Sequence, residues 1–312
     1  MKDLSSAFHY DLDGLNRNAW RARAEEIAEE FGSAERIGSG HTSLFIDAGR
    51  TLLVTFESVA RVRRANDDKA PLGWSFVQSH GWSSLTLLSD ANVDWFRAPA
   101  LFGYFDRLID DGFFDDFDQV LFFGAGAAGY AAAAYSVAAP EARVLLIQPQ
   151  ATLDTRRAGW DRRFPQARRL EFTSRFGFAP MMVETASQVL LIYDPSIIED
   201  AMHASLFHGD NTKHFTTPYL GPNAPRALVV MDVLPDLIEQ AMSGALTTLS
   251  FATLWRARRT HLPYLRTLLH RLELTDDHDR MFARFCRQIS AKGNRPLFAR
   301  KLNELEGAGV KI

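Results

Sequence analysis

The sequence predicts an α/β protein with a mostly parallel sheet, helices on both of its faces, and a helical C-terminal extension. Three observations predict it. Short apolar runs alternate with helical stretches from Leu85 to Phe215, the pattern of parallel strands joined by crossover helices. The run Gln119 to Phe123 passes through a glycine-rich turn directly into an alanine-rich helix. Beyond Ser250 the strand-like runs stop and arginines intersperse with Leu, Phe and Trp at helical spacing.

In chain order, Leu15 to Phe31 reads as an amphipathic helix around Trp20, Ala24, Ile27 and Phe31. Ser43 to Ile46 and Thr51 to Phe56 read as strands, with Asp47-Ala-Gly-Arg50 between them as a hairpin turn. A loop with Asn66, Asp67, Asp68 and Pro71 leads to the apolar run Leu85 to Ser89; the segment Asn92 to Pro99 follows, then a helix from Leu101 to Asp110. The later strands are Gln119 to Phe123, Arg143 to Ile147, Val189 to Tyr193 and Thr212 to Phe215, with helices over Ile198 to Phe207 and Ala224 to Gly244. The expected divisions are a helical lead-in over residues 1–36, the α/β domain over 37–248 and the helical extension over 249–312. The arginines of that extension, Arg256 to Arg287, are expected on a solvated or ion-paired helix face.

Of the 312 residues, 46% are hydrophobic and 23% charged, which excludes a disordered or fibrous chain. A net charge of -3 does not mark nucleic acid or an anionic membrane as a partner. The single cysteine, Cys286, excludes an intrachain disulfide and a multi-thiolate metal site, and fits a reducing compartment. No apolar signal-peptide core follows Met1, so a cytoplasmic location is expected. Val120 to Ala139 is uncharged and long enough for a membrane span, but a strand passing into a buried helix accounts for it, and no span is expected.

Gly124-Ala125-Gly126-Ala127-Ala128-Gly129 fits two turn chemistries. It spells the G-x-G-x-x-G fingerprint that sets a pyrophosphate on a helix N-terminus. That fingerprint expects an acid after the next strand to hold the ribose, whereas Val144 to Ile147 is followed by Gln148-Pro149-Gln150. The other chemistry is the nucleophile elbow, G-x-S-x-G, with Gly124, Gly126 and Ala128 at its defining positions.

Here Gly124-Ala-Gly-Ala-Ala-Gly-Tyr-Ala-Ala132 resembles a branch of the α/β-hydrolase superfamily, associated with bacterial surface polysaccharides, that carries Gly-x-Ser-x-Gly-Gly-Tyr-Ala-Ala. The resemblance extends over roughly residues 40 to 245. Gln148-Pro149-Gln150 with Leu153-Asp154 resembles the segment after the next strand. Tyr193-Asp194-Pro195 with Asp200 resembles the acidic loop, and Leu220-Gly221-Pro222-Asn223 the Gly-His-Asn turn before a helix. The resemblance implies an α/β-hydrolase-like fold with a degenerate site: Gly126 stands where the branch has its serine, Pro222 where it has histidine, and Asp194 remains as the acid. Without a hydroxyl or an imidazole there, serine-esterase chemistry has no nucleophile and no base.

Around this vestigial site, His214 is a candidate displaced base at the end of the last strand. The backbone of Glu57 and Ser58, with that of Ala127 and with Gly124 beside it, is a candidate for an anion-binding pocket at the position of the α/β-hydrolase oxyanion amides. His203, His208, Asp210 and His214 have metal-ligand types, but their spacing does not set three on one helical face, and no metal is expected. Ser39 and His41 read as a turn into the first hairpin. Trp74, Trp82 and Trp95 read as core or rim aromatics, and Cys286 as a buried structural thiol. The pyrophosphate loop Ser-Gly-Gly-Lys-Asp-Ser and the Cys-Gly-x-His tail of sulfur-assimilation reductases are absent, which excludes that function.

The expected function is therefore that of a pseudoenzyme: a degenerate α/β-hydrolase-fold protein that binds a small molecule or a protein, without a cofactor. A setting in surface-polysaccharide metabolism is implied only by the resemblance. Two alternatives stay open: a hydrolase or acyltransferase with a relocated nucleophile, and a nucleotide-binding module using Gly124 to Gly129.

Overall fold

The structure is a computed structural model that describes residues 8–65, 68–90, 94–274 and 278–310. The sequence start Met1 to Ser6, the loop residues Asn66 and Asp67, and the first part of the segment Asn92 to Pro99 lie outside the described residues. Eight strands form one sheet: β1 Gly32–Ile37, β2 His41–Ile46, β3 Thr51–Ser58, β4 Ser83–Ser89, β5 Gln119–Ala125, β6 Arg143–Ile147, β7 Gln188–Tyr193 and β8 Thr212–Thr216. Their order is β1-β2-β4-β3-β5-β6-β7-β8. Only β2 runs against its neighbours; from β4 through β3 to β8 every pairing is parallel.

Alternation along the central strands feeds two cores, because successive side chains leave a strand on opposite faces. Leu52, Val54, Phe122, Val144, Leu146, Val189 and Leu191 enter one core with the helices Pro99–Asp110 and Ala127–Tyr135. Leu53, Leu121, Leu145, Ile147, Leu190 and Ile192 enter the other, with Leu228, Leu237 and Ile238. Phe282, Cys286 and Phe298 of the C-terminal helices join this second core, so the extension completes one face of the sheet. The helix Arg17–Phe31, capped by the Asn16 side chain on the amides of Asn18 and Ala19, seats Trp20 and Ile27 over Leu44 and Ile46 of β2.

Two expectations are corrected. Thr51–Ser58 does not form a hairpin with His41–Ile46: β4 inserts between them, pairing Thr42 with Leu88 and Leu53 with Ser84. The connection is closed instead by Ser83 at the start of β4, whose hydroxyl accepts from the amides of Ala48 and Gly49, both at 3.0 Å. The actual hairpin joins β1 to β2 through the Gly38–Gly40 turn, and β1 runs across the expected boundary at residue 36. Its sequence, Gly-Ser-Ala-Glu-Arg-Ile, is polar because it is a largely exposed edge strand. Lastly, Ala224 to Gly244 is not one helix but two, Ala224–Val230 and Leu234–Met242. The break falls at Asp232, φ 55°, just ahead of Pro235 in the first turn of the second helix.

The glycine-rich turn sets two different constraints. A Cβ at Gly124 would stand 2.1 Å from the Ala128 carbonyl oxygen, so the turn closes only over a bare α-carbon. Gly126 has φ 60° and ψ -124°, but a Cβ there would meet nothing within 4 Å. Gly124→Ala is therefore expected to cost roughly 3 kcal/mol or more, as overpacking against backbone. Gly126→Ala should cost only the strain of its backbone conformation, about 1–3 kcal/mol. Thermal or chemical denaturation of the two variants side by side checks this order, and equal losses would show that the turn is not closed as described.

Candidate functional site

Gly126 is the first residue beyond β5 and the N-cap of the helix Ala127–Tyr135. Its amide donates to the carbonyl of Ile147 at the end of β6 at 2.9 Å, and its carbonyl accepts from the amide of Tyr130 at 3.0 Å. The chain thus turns from strand to helix at a single residue, which stands with positive φ at the carboxyl edge of a central strand. That is the elbow geometry. Taken with the strand order and the lone antiparallel β2, it decides the fold. The chain has an α/β-hydrolase fold.

No family model and no curated protein sequence matches the chain. Among solved structures it is similar to the capsule O-acetyltransferase of Neisseria meningitidis serogroup A, at 12% identity and a TM-score of 0.42 over 66% of this chain and 93% of that one. It is also similar to an esterase of Pyrobaculum calidifontis, at 11% identity and a TM-score of 0.45 over 82% and 98%. A third likeness is the metagenomic carboxylesterase EstE1, at 12% identity and a TM-score of 0.39 over 78% and 98%.

The sequence-predicted site residues fall into two groups. Gly126, Ala127, Glu57 and Ser58 line one cavity of about 170 Å³, together with Arg61, Ser89, Asp94, Trp95 and Phe96. Glu57 and Ser58 are the last residues of β3, which runs two residues further than expected and so carries both side chains to the carboxyl edge. Gly124 is not on the cavity wall; it lies within β5 and serves the turn.

Asp194 is buried at the end of β7. It accepts from the Ser196 amide at 2.8 Å and hydroxyl at 2.7 Å, from the Tyr219 amide at 3.0 Å and from the Gly221 amide at 2.7 Å. It therefore holds the loop that carries Pro222. Gln148, left-handed at φ 49° after β6, holds the same loop from the other side. Its side chain donates to the Gly221 carbonyl at 3.2 Å and to Asp200 at 2.7 Å, and accepts from the Ala224 amide at 3.2 Å. Because Gly126 bonds to Ile147 and Gln148 brackets Pro222, the elbow and the Pro222 loop share one anchor. Pro222 itself is exposed.

Gln148 is thereby committed to protein groups, and the strand order differs from the doubly wound order of dinucleotide folds. His214 is not brought to the elbow. It lies on β8, three strands from β5 and so about 14 Å away at ordinary strand spacing, with Nε2 2.8 Å from the Phe207 carbonyl and its ring against Tyr193. His203 is buried beneath the β6–β7 connection. Its Nδ1 accepts from the Ala151 amide at 3.1 Å, which leaves the proton on Nε2, 3.0 Å from Asp161. Arg163 bridges Asp161 and Asp200, so this histidine is a structural tie. Among the described residues no group of three or more His, Cys, Asp or Glu is placed to hold a metal ion.

Trp74 lies in the core under the N-terminal helix and Trp82 stacks on Phe76, whereas Trp95 lines the cavity. Cys286 is buried, and burial pushes its thiol up to about 11, so it is protonated at neutral pH. Among the arginines of the C-terminal helices, Arg287 pairs with Glu306 at 3.3 Å and Arg258 lies over the Trp255 ring. No helix among the described residues is long and apolar enough to cross a membrane.

Sequence reasoning missed Asp94, Arg61 and the role of His41. His41 begins β2, is buried, and stands 2.7 Å from Asp94 across the sheet edge. Burial works against the charge on Asp94, but hydrogen bonds from His41, the Phe96 amide and Ser89 outweigh it and hold its carboxyl below the usual range. Glu57 goes the other way. Burial pushes it up to about 7, against hydrogen bonds from the Leu72 amide and Thr55 and the nearby charge of Arg61. Trp95 and Phe96 are consecutive non-glycine residues at φ 52° and 53°, and the sequence carries no signal of this turn. Arg97 pins it from below, bonding to the carbonyls of Glu171 and Arg175 and to the Tyr130 hydroxyl.

Because the folded Glu57 binds its proton more tightly than an ordinary glutamate, stability falls as pH rises from about 4 to about 7 on its account. Glu57→Gln keeps an acceptor for Leu72 and Thr55 and removes that slope. The variant should gain on the order of 2 kcal/mol on wild type at pH 8, with the gain vanishing near pH 4. Urea denaturation at several pH values measures it; parallel curves would show that Glu57 titrates as an ordinary carboxylate.

Proposed function

We propose that this chain is a catalytically degenerate α/β-hydrolase-fold protein whose elbow cavity binds a ligand instead of acylating a serine. The observation that carries this reading is Gly126, which holds the backbone conformation of a nucleophile at the wall of a formed cavity and brings no hydroxyl to it. The surroundings support it. The acid position, Asp194, has spent its oxygens on the amides of Tyr219 and Gly221, and Pro222 offers no imidazole for it to orient. The two serines on the cavity wall do not rebuild a nucleophile: the Ser89 hydroxyl donates to Asp94 at 2.8 Å, and the Ser58 hydroxyl accepts from the Arg61 amide at 3.3 Å. The surface-polysaccharide setting implied by the motif resemblance is part of the same proposal, and a ligand from that metabolism would enter this cavity.

The wild-type protein is expected to escape labelling by a serine-directed fluorophosphonate and to leave short acyl esters unhydrolysed above background. Gly126→Ser should fold and remain unlabelled, since Pro222 offers no imidazole to take its proton. The double change Gly126→Ser with Pro222→His should label weakly at residue 126, because Asp194 already accepts from the Tyr219 and Gly221 amides and shares its charge with them. Mass-spectrometric mapping of the adduct reads all three cases. Stoichiometric labelling of wild type would overturn the proposal, and labelling of the single variant as strong as that of the double would mean that another base serves the cavity.

A further inference from the structure

The formal charge of the chain is unevenly divided. Residues 249–312 hold 13 of the 35 Lys and Arg but 6 of the 38 Asp and Glu, a net charge of +7, which leaves -10 for residues 1–248. A chain close to neutral as a whole thus carries two parts of opposite sign, and exposed surfaces of opposite sign attract one another at low salt.

The basic part presents a helix face. In the helix Asp279–Ser290, Phe282, Cys286 and Ile289 enter the second core. Arg280, Arg284 and Arg287, at positions i, i+4 and i+7, are exposed on the opposite face in a row about 10 Å long. Among the described residues the one ion pair of this row joins Arg287 to Glu306 at 3.3 Å. Met281, 53% exposed, shares the face with Arg284 as an uncovered apolar side chain.

The acidic counterpart lies on the other side of the sheet. The helix Pro99–Asp110 finishes in Asp110 and Asp111, and the turn Phe113–Asp116 adds Asp115 and Asp116; all four are exposed. Two aspartates at a helix C-terminus add to the negative end of its dipole, a place that favours a cation. Asp118 just beyond is paired with Arg50 at 3.0 Å, and none of the four has an ion pair among the described residues. Ile109, 46% exposed, stands among these aspartates as Met281 does among the arginines. Phe114 of the same turn packs in the first core, whereas the arginine helix packs in the second. The eight-stranded sheet separates the two surfaces, so neither covers the other within one copy.

We infer that the arginine face of the helix Asp279–Ser290 docks on the aspartates 110–116 of a second copy of this chain, head to tail. Met281 and Ile109 supply apolar contact within a charged rim. Because the two surfaces face opposite ways, a pair of copies leaves one of each unfilled, so the contact is heterologous and assembly continues past the dimer. Its charges are exposed, which makes the contact weak and salt-dependent. It does not depend on what the elbow cavity holds.

Sedimentation velocity of the full chain over a wide concentration range, at about 25 mM and about 500 mM salt, tests this, since the screening length falls from roughly 20 Å to roughly 4 Å between them. The expected result is a weight-average mass that rises past the dimer with concentration at low salt, and a monomer at high salt. Two variants divide the interface: Arg280→Gln with Arg284→Gln neutralises the basic half, and Asp110→Asn with Asp111→Asn the acidic half. Each alone should self-associate at least about tenfold more weakly than wild type. Mixed in equal amounts they should form a dimer and nothing larger, because one brings the intact aspartates and the other the intact arginine row. If a variant does not fold, the salt and concentration dependence of the wild type decides alone. A wild type that stays monomeric at low salt would overturn the inference. So would an assembly that stops at two copies, or a mixture of the variants that stays monomeric while the wild type assembles. A short nucleic acid held by the arginine face of a protein that does not self-associate would overturn it too, and would assign that face to a polyanion.

Discussion

The turn from β5 into the following helix has room for one residue, and that residue must take positive φ. Much of the site follows from this constraint. A strand that ends in the middle of a sheet can hand its chain to a helix packed on the same sheet only by reversing sharply, and the reversal puts residue 126 at the carboxyl edge. Gly124 lets the Ala128 carbonyl close over it, and the small residues from Ala131 to Ala134 let the helix lie close against the core. A side chain at 126 would be held in an unfavourable backbone conformation, a strain worth keeping only for a nucleophile. Glycine adopts it freely, so the turn here carries none of that strain.

The loops at this edge are held by buried carboxylates and amides. Asp194 draws in the amides of Tyr219 and Gly221, while Gln148 grips the same loop through Gly221 and Ala224 and reaches Asp200. Asp200 is in turn paired with Arg163, and Arg163 with Asp161, which meets His203. Each acceptor in this chain of contacts has a donor, as buried charge requires. The Asp194 carboxylate accepts from backbone amides and the Ser196 hydroxyl, and so ties the loop to the end of β7.

The opposite wall differs in kind. There the carboxyls of Glu57 and Asp94 are driven apart, one toward its neutral form by burial and the other toward its charged form by His41, Ser89 and a backbone amide. Arg61 and Trp95 line the same cavity. Separation of two neighbouring carboxyls by their surroundings is a common feature of functional sites, since it sets a proton donor beside an acceptor.

The sequence by itself determined the elements whose signal is local. The buried parallel strands read as continuous apolar runs, β6 to the residue, and the glycine-rich turn announced a strand running into a helix at Gly126. That residue 126 is glycine and residue 222 proline was likewise legible, because a side chain's chemistry is a property of its own residue. Tertiary structure decided everything that depends on partners distant in the chain. β4 entered between β2 and β3, since the neighbour of a strand is chosen by packing and not by adjacency. β1 formed from a polar segment because β2 offered it an edge. His214, plausible by type, was carried three strands away, while His41 and Asp94, separated in the chain by the whole of β3 and β4, were brought to 2.7 Å at the rim of the cavity. A sequence lists ionisable groups, but burial and proximity, which set their charge, exist only once the sheet has closed.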